Sequence, residues 1–89
     1  MLYMVIEHFR EGTAPEIYRR YREKGRMTPD GLEYISSWIS HDVKTCWQIM
    51  QTENAAFLKQ WTKYWDDLID FEIIPILTSA EAKAMVAEE

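Results

Sequence analysis

The sequence predicts an α+β fold in the order β-α-β-β-α-β, followed by a short helix, and three observations support this prediction. Short runs rich in β-branched and aromatic residues occur at four places along the chain. Segments with apolar residues at helical spacing separate the first run from the second and the third from the fourth. Only His41 and Asp42 join the second run to the third, so these two strands must form a hairpin. The 89 residues fit a single domain, 1–89.

The first strand and the first helix come from the N-terminal part of the chain. Residues 2–9 alternate like a strand and are apolar on both sides, which favours a covered sheet. Thr13 and Glu16 have the spacing of a capping box, with a proline between them near the first helical position. The helix therefore begins near Thr13 and runs to about Lys24, where Gly25 is placed to end it.

The hairpin and the second helix follow. The hairpin strands are predicted over residues 32–40 and 43–51. Asn54 is a good N-cap for a second helix that runs through Leu68 and has the clearest apolar stripe in the chain.

Residues 70–77 form the fourth predicted strand, although Pro75 interrupts it. Thr78 and Glu81 then form a second capping box, which starts a short Ala-rich C-terminal helix. This element order matches the split βαβ, ferredoxin-like arrangement, in which the antiparallel sheet has the order 4-1-3-2. Right-handed crossovers place both main helices on one face, and Pro75 is tolerated because the fourth strand lies at an edge.

Large apolar side chains are predicted on both sides of this sheet. By alternation, one side carries Met4, Ile6, Trp47, Ile49, Phe71 and Ile73. The other side carries Tyr3, Val5, Cys46, Met50, Ile74 and Ile76. In the second strand, Tyr34 and Trp38 are expected on one side and Ile35 and Ile39 on the other. Because the helices cover only one side, we expect the uncovered sides of two subunits to pack together as a homodimer.

The polar residues Glu7, Gln48 and Glu72 are candidate ligand-binding residues, because alternation places them on one side of three neighbouring strands. Ser37 joins them if the second strand has a suitable register. Two buried carboxyl groups close together would raise one pKa and create a proton-transfer site. The alternative is that Glu72 points into solvent at the edge or pairs with an arginine such as Arg26.

Several classes of function are disfavoured by composition. The net charge of −5 argues against nucleic acid and anionic membranes. His8 and His41 are too few and too far apart for a histidine metal site, Cys46 alone cannot hold an iron–sulfur cluster, and no glycine-rich phosphate loop occurs. We therefore expect neither metal nor cofactor. No membrane span or signal peptide is visible, and a single cysteine fits a cytoplasmic location.

The four tryptophans have two interpretations. They could line an aromatic pocket for a flat ligand, or they could be ordinary core and interface residues, as aromatic residues at strand and helix spacing usually are. The basic residues between Arg19 and Arg26 are likewise typical of a solvated helix end, and an anion or partner contact is the alternative.

The runs GRMTPDGLEYISSW, CWQIM and DFEIIPILTSAEA carry a resemblance that extends over nearly the whole chain. They resemble a family of short bacterial proteins of unknown function that is placed among the dimeric α/β-barrel, ferredoxin-like proteins. The matching positions are Gly25-Arg26-Met27, Ser37-Trp38, Gln48 with Met50, Trp61 with Trp65, and Phe71-Glu72 with Pro75. Asn54-Ala55 stands where Asp-Pro would be more typical. The resemblance implies a dimer and brings no catalytic residues.

Two functions remain open at this point. One is a small-molecule binder, or an enzyme, with a pocket between sheet and helices lined by Glu7, Ser37, Gln48 and Glu72. The other is a noncatalytic assembly module with a filled core. A cavity in which those side chains converge would favour the first.

Overall fold

The computed structural model describes residues 1–87 and contains four strands and three helices. In chain order they are β1 Leu2–Phe9, α1 Ala14–Lys24, β2 Glu33–Ile39, β3 Thr45–Gln51, α2 Ala56–Thr62, β4 Ile69–Ile76 and α3 Ser79–Ala87. The strands form one antiparallel sheet in the order β2-β3-β1-β4, which is the predicted order read from the other edge. The predicted ferredoxin-like α+β fold is therefore confirmed, and Pro75 lies in an edge strand as expected.

The hydrophobic core lies between one face of the sheet and the helices α1 and α2. The fully buried members are Val5, Met50, Trp61 and Ile69, and Ile17, Leu32, Leu58 and Trp65 pack with them. Both helices contribute to this one cluster, so both cover the same face, which we call the helix face. Among residues 1–87, no helix contributes a buried residue to the opposite face, which we call the open face. Within the described residues no helix combines the length and apolar character needed to cross a bilayer.

The predicted side assignment is wrong for β4. Glu7 lies opposite Phe71, and Ile6 lies opposite Glu72. Phe71 and Ile73 therefore belong to the helix face, whereas Glu72, Ile74 and Ile76 belong to the open face. The physical reason is that side chains alternate with a period of two, so one residue of register moves a whole strand to the other side.

The side assignment in β2 is wrong for a different reason. A bulge interrupts the pairing between Tyr34 and Ser36, so that Tyr34 lies opposite Met50 while Ser37 lies opposite Gln48. Because the bulge inserts one extra residue, Tyr34 and Ser37 share the helix face although three positions separate them. Trp38 is thereby placed on the open face and not on the side of Tyr34.

The ends of the helices follow the sequence signals in part. Gly25 ends α1 with a φ of 68°, as predicted. Thr13 does not cap this helix, because its hydroxyl donates to the carbonyls of Arg10 and Leu68 instead. Asn54 accepts a hydrogen bond from the backbone N–H of Ala56, as an N-cap does. The helix it starts is shorter than predicted, and residues 63–68 form successive turns instead.

The C-terminal helix α3 begins with the predicted capping box. The Glu81 carboxylate accepts from the backbone N–H of Thr78, and the Thr78 hydroxyl accepts from that of Glu81. No residue of α3 is buried.

The radius of gyration is 14.6 Å, compared with about 12 Å for a compact domain of this length. The subunit is therefore more extended than its length requires.

Replacing Gly31 with Ala is expected to lower the free energy of unfolding by about 2–3 kcal/mol. Gly31 has a φ of 94°, and a Cβ there would lie 2.7 Å from Cε2 of Phe57. Gly12→Ala is the matched control, because its φ of 75° is also positive but no atom lies within 4 Å of the new Cβ. Urea denaturation measures both variants, and equal losses would show that the Phe57 ring moves aside without cost.

Candidate functional site

A cavity of about 200 Å³ lies between the helix face of the sheet and the two main helices. Its polar lining comes from three strands and the segment after α1, and its apolar lining comes mainly from the helices and the strand ends. The lining residues are Glu7, Phe9, Ile17, Tyr18, Tyr21, Arg26, Ser37, Ile39, Cys46, Gln48, Trp61, Trp65 and Ile69. Three of the four predicted site residues, Glu7, Ser37 and Gln48, therefore meet at one cavity.

A chain of hydrogen bonds joins the polar groups of this cavity. The guanidinium of Arg26 donates through Nε to Oε1 of Gln48 at 2.9 Å. The amide of Gln48 donates through Nε2 to Oε2 of Glu7 at 3.0 Å. Gln48 is 3% exposed and Glu7 is 9% exposed, so two of the three hydrogen-bonded side chains lie in the protein interior.

Burial sets the protonation state of Glu7. Removal of the carboxylate from water raises the pKa of Glu7 from 4.5 to about 7. The positive charge of Arg26 and hydrogen bonds from Cys46 and Gln48 lower it, but burial outweighs them. Glu7 therefore exchanges its proton near neutral pH, which is the property of a general acid or base or of a group that senses a bound charge.

Cys46 lies directly opposite Glu7 across β1 and β3. Burial, followed by the neighbouring charge of Glu7, raises the pKa of the Cys46 thiol to about 12. The thiol is therefore protonated at neutral pH and acts as a weak hydrogen-bond donor to the carboxyl group. Since the thiolate is the reactive form of cysteine, a nucleophilic role for Cys46 is disfavoured.

Two indole groups fix the backbone at the mouth of the cavity. Nε1 of Trp61 and Nε1 of Trp65 both donate to the carbonyl oxygen of Arg26, at 2.9 and 3.0 Å. On either side, Gly25 and Met27 have positive φ values of 68° and 62°. This segment therefore has an unusual backbone conformation that α2 and the turns after it hold in place.

The Arg26 side chain lies between two aromatic rings. Its Cζ is 3.6 Å from the ring centroid of Tyr34 and 5.2 Å from that of Tyr21. Nη1 also donates to the Tyr21 hydroxyl at 3.2 Å. Among residues 1–87 no carboxylate oxygen lies within 4.0 Å of this guanidinium, so its charge is met by π-systems and neutral oxygens.

Ser37 enters the site through the bulge in β2. The bulge places Ser37 opposite Gln48 and on the same side as Tyr34. The hydroxyls of Tyr34 and Ser37 are 2.7 Å apart and share a hydrogen bond. Ser37 therefore links Tyr34, one of the rings beside Arg26, to the polar row on the sheet.

Glu72, the fourth predicted site residue, does not join the others. It lies on the open face, where its Oε1 is 2.6 Å from Nε2 of His8, and its side chain is 57% exposed. The predicted convergence of Glu72 with Glu7 is therefore wrong, and so is its pairing with Arg26. The other alternative, an exposed Glu72 at the edge of the sheet, agrees with the structure. The register of β4, which sequence alone leaves open, decides this placement.

The basic residues after position 18 do not act as one group. Arg19 pairs with Glu16 and Glu23 on the surface of α1. Arg20 forms a two-pronged ion pair with Asp67, at 2.9 and 2.8 Å, which joins α1 to the segment after α2. Arg26 alone turns into the cavity. Sequence reasoning did not predict that Arg26 lines the cavity. The available signal was its position directly after the helix-ending Gly25, within the run Gly25-Arg26-Met27 that matches the family.

The polar groups that line the cavity can form hydrogen bonds and charge interactions. In the part of the chain that the structure describes, no group of three or more His, Cys, Asp and Glu side chains is arranged to hold a metal. The cavity instead offers a cation, a carboxyl group near its titration point, a neutral thiol and the Tyr18 hydroxyl. Burial raises the pKa of Tyr18, so this hydroxyl is neutral too.

Glu7→Gln is expected to remove a pH dependence of stability. In the wild type, folding disfavours the charged carboxylate, so the free energy of unfolding falls as pH rises from about 4.5 to 7 and stays reduced above that. The variant is expected to be more stable than the wild type by up to about 3 kcal/mol at pH 8, and equal to it below pH 4.5. Urea denaturation across this range measures the difference, and a constant difference between the two proteins would contradict the assignment.

Comparison with known protein families identifies a family for this chain. A family model described as a domain of unknown function, DUF3303, matches residues 1–89. No curated protein and no solved structure matches the sequence. The match confirms the resemblance to a family of short proteins without an assigned function. Because it extends over the whole chain, this protein belongs to the DUF3303 family.

Proposed function

We propose that this protein binds a small organic molecule in the cavity between the sheet and helices α1 and α2. The observation that carries the proposal is the convergence of Glu7, Ser37, Gln48 and Arg26 on one cavity whose inner polar groups are joined by hydrogen bonds. Buried polar groups are costly, and a row of them on the core side of a sheet contributes less stability than apolar residues of the same size. Their presence beside an open volume favours binding over a filled core.

The size of the cavity limits the ligand. About 200 Å³ is below the 300–1,000 Å³ typical of sites for drug-sized ligands. The ligand is therefore a small metabolite rather than a nucleotide or a haem. Glu7 could exchange a proton with such a molecule, so an enzymatic reaction is compatible with the site.

The second part of the proposal is that two subunits pack through their open faces, in the dimeric α/β-barrel arrangement. This face exposes Trp38 and Trp47 by 58% and 38%, and the side chains of Ile35 and Ile74 are exposed beside them. The subunit has 6108 Å² of accessible surface, compared with about 5,500 Å² expected for its mass. Four strands of this length span roughly 19 by 25 Å, so two such faces together reach the ~1,000 Å² that a specific interface needs.

A noncatalytic assembly module remains the second candidate function. The exposed apolar face and the position of Glu72 outside the cavity are the observations that favour it. Under this alternative the dimer forms and the cavity binds nothing.

In either case the single cysteine, which allows no disulfide within the chain, favours a reducing location such as the bacterial cytoplasm.

Ligand binding is tested by screening a metabolite library for compounds that raise Tm. A compound at 100 times its Kd adds about 2.7 kcal/mol of stability, which in a small domain raises Tm by roughly 10 °C or more. Ser37→Leu, which fills the cavity, is expected to abolish the rise. Ser36→Leu is the matched control, because the neighbouring side chain faces away from the cavity. If no compound of any class raised Tm, the binding proposal would be contradicted and the assembly module favoured.

The dimer is tested by light scattering at micromolar concentration. The wild type is expected at about twice the subunit mass of 10.6 kDa. Trp47→Glu is expected to give a folded monomer, because it places a charge in the middle of the open face. Tyr64→Glu, at a residue 43% exposed in the segment after α2, serves as the control and should remain dimeric. A wild type of 10.6 kDa would overturn the dimer proposal.

A further inference from the structure

Building on the proposed ligand pocket, we infer that the ligand is a small organic carboxylate with an apolar body, whose carboxylate lies against the guanidinium of Arg26 and the hydroxyl of Tyr21. The apolar body would lie against Phe9, Ile17 and Ile69. The argument rests on the donors that Arg26 leaves free, on the charges around the cavity and on the division of its walls.

The guanidinium of Arg26 is held in one orientation, but not all of its N–H groups donate a hydrogen bond. The ring of Tyr34 lies 3.6 Å from its Cζ and the ring of Tyr21 lies 5.2 Å away, so the two rings lie over its faces. Nε donates to Gln48 and one N–H of Nη1 donates to the Tyr21 hydroxyl, whereas Nη2 donates to no group within residues 1–87. The second N–H of Nη1 and the N–H groups of Nη2 are therefore left for a ligand. A guanidinium presents its edge as a planar fork that matches a carboxylate. The free edge therefore selects an anion that can accept two parallel hydrogen bonds.

The charges around the cavity also favour an anion. Arg26 is the single cation among the lining residues. The carboxyl group among the lining residues, Glu7, has a pKa of about 7, and the thiol of Cys46 has a pKa of about 12, so neither group fully cancels the cation at neutral pH. The cavity thus has a net positive charge although the whole chain carries −5. A bound carboxylate neutralises a charge that the protein itself leaves uncompensated.

The position of the guanidinium separates a charged end from an apolar end. Tyr21 and Tyr34, which flank Arg26, are 42% and 36% exposed, so the charged end is the outer one. On the core side, the apolar residues Ile17 and Ile69 are buried, and the hydrogen-bonded pair of Glu7 and Gln48 lies beside them. A molecule with one carboxylate and a hydrocarbon or aromatic body can pack against the apolar residues, whereas a polyamine would place positive charge beside Arg26.

Binding of a carboxylate is coupled to the protonation of Glu7. The groups that face Glu7 are Tyr18 on α1, Arg26 after it, and Cys46 and Gln48 on β3, while β2, β4 and α2 contribute no ionisable group to the lining. A second negative charge beside Glu7 favours its protonated form. The affinity for the carboxylate is therefore highest below pH 7 and falls as Glu7 ionises above it.

The test compares matched pairs of carboxylates and their amides: benzoate with benzamide, and isobutyrate with isobutyramide. Calorimetric titration of the wild type at pH 6.0 is expected to give Kd values at least roughly tenfold lower for the carboxylates, since hydrogen bonds to charged groups are the stronger ones. The preference is expected to shrink by up to about tenfold per pH unit above pH 7 in the wild type. In Glu7→Gln it should not change with pH.

Variants test which residues cause the preference for carboxylates over amides. Arg26→Gln should remove the carboxylate preference, and Arg26→Lys should restore part of it. Arg22→Gln and Glu11→Gln make the same charge changes at exposed positions outside the cavity and should leave binding unchanged. If Arg26→Gln failed to fold, the pH dependence of the wild type and of Glu7→Gln would still decide.

Two results would overturn the inference, and they differ in what they leave standing. Amides that bind as tightly as their carboxylates would overturn the anion assignment and leave the ligand pocket intact. If neither member of any pair bound at millimolar concentration and the metabolite screen were also silent, the pocket proposal would fall together with the inference.

Discussion

The carbonyl oxygen of Arg26 is the point on which the site depends. Two indole N–H groups, from Trp61 and Trp65, donate to this one oxygen. They hold a segment with positive φ values at Gly25 and Met27, a conformation that costs of order 1 kcal/mol or more at a non-glycine residue. Since the tryptophans are also core residues, the packing that stabilises the fold sets the direction of the guanidinium.

The polar row on the helix face is costly but complete. Glu7 and Gln48 occupy positions where Val or Leu would contribute more burial energy. Every buried polar side-chain atom in the described part of the chain nevertheless has a hydrogen-bond partner. A fully satisfied polar network inside so small a core rigidifies its members and concentrates perturbed pKa values in one place. That concentration distinguishes the cavity from a simple packing defect.

Sequence reasoning located the elements better than the sides. Capping residues, a two-residue link and an edge proline are local signals, so the order of strands and the end of α1 at Gly25 were predictable. The face of the sheet on which a side chain lies is not determined by the neighbouring sequence alone. The faces of Glu72 and Trp38 depend on a strand register and on the bulge after Tyr34, which no local pattern announces. The partners of Arg26 come from elements up to 39 positions away. Sequence analysis could therefore offer only a solvated helix end, an anion or partner contact, or a pairing with Glu72.

Both margins of the sheet are interrupted. The outer strand β4 contains Pro75, which lacks the N–H that a further strand would require, and the outer strand β2 is bent by its bulge. An unprotected edge strand promotes ordered aggregation, because its row of unpaired backbone groups can pair with a strand of another chain. A protein rich in exposed isoleucine and tryptophan is exposed to that hazard. Here the backbone of both edge strands opposes the pairing of further strands, so the protein can carry exposed isoleucine and tryptophan with less risk of fibre growth.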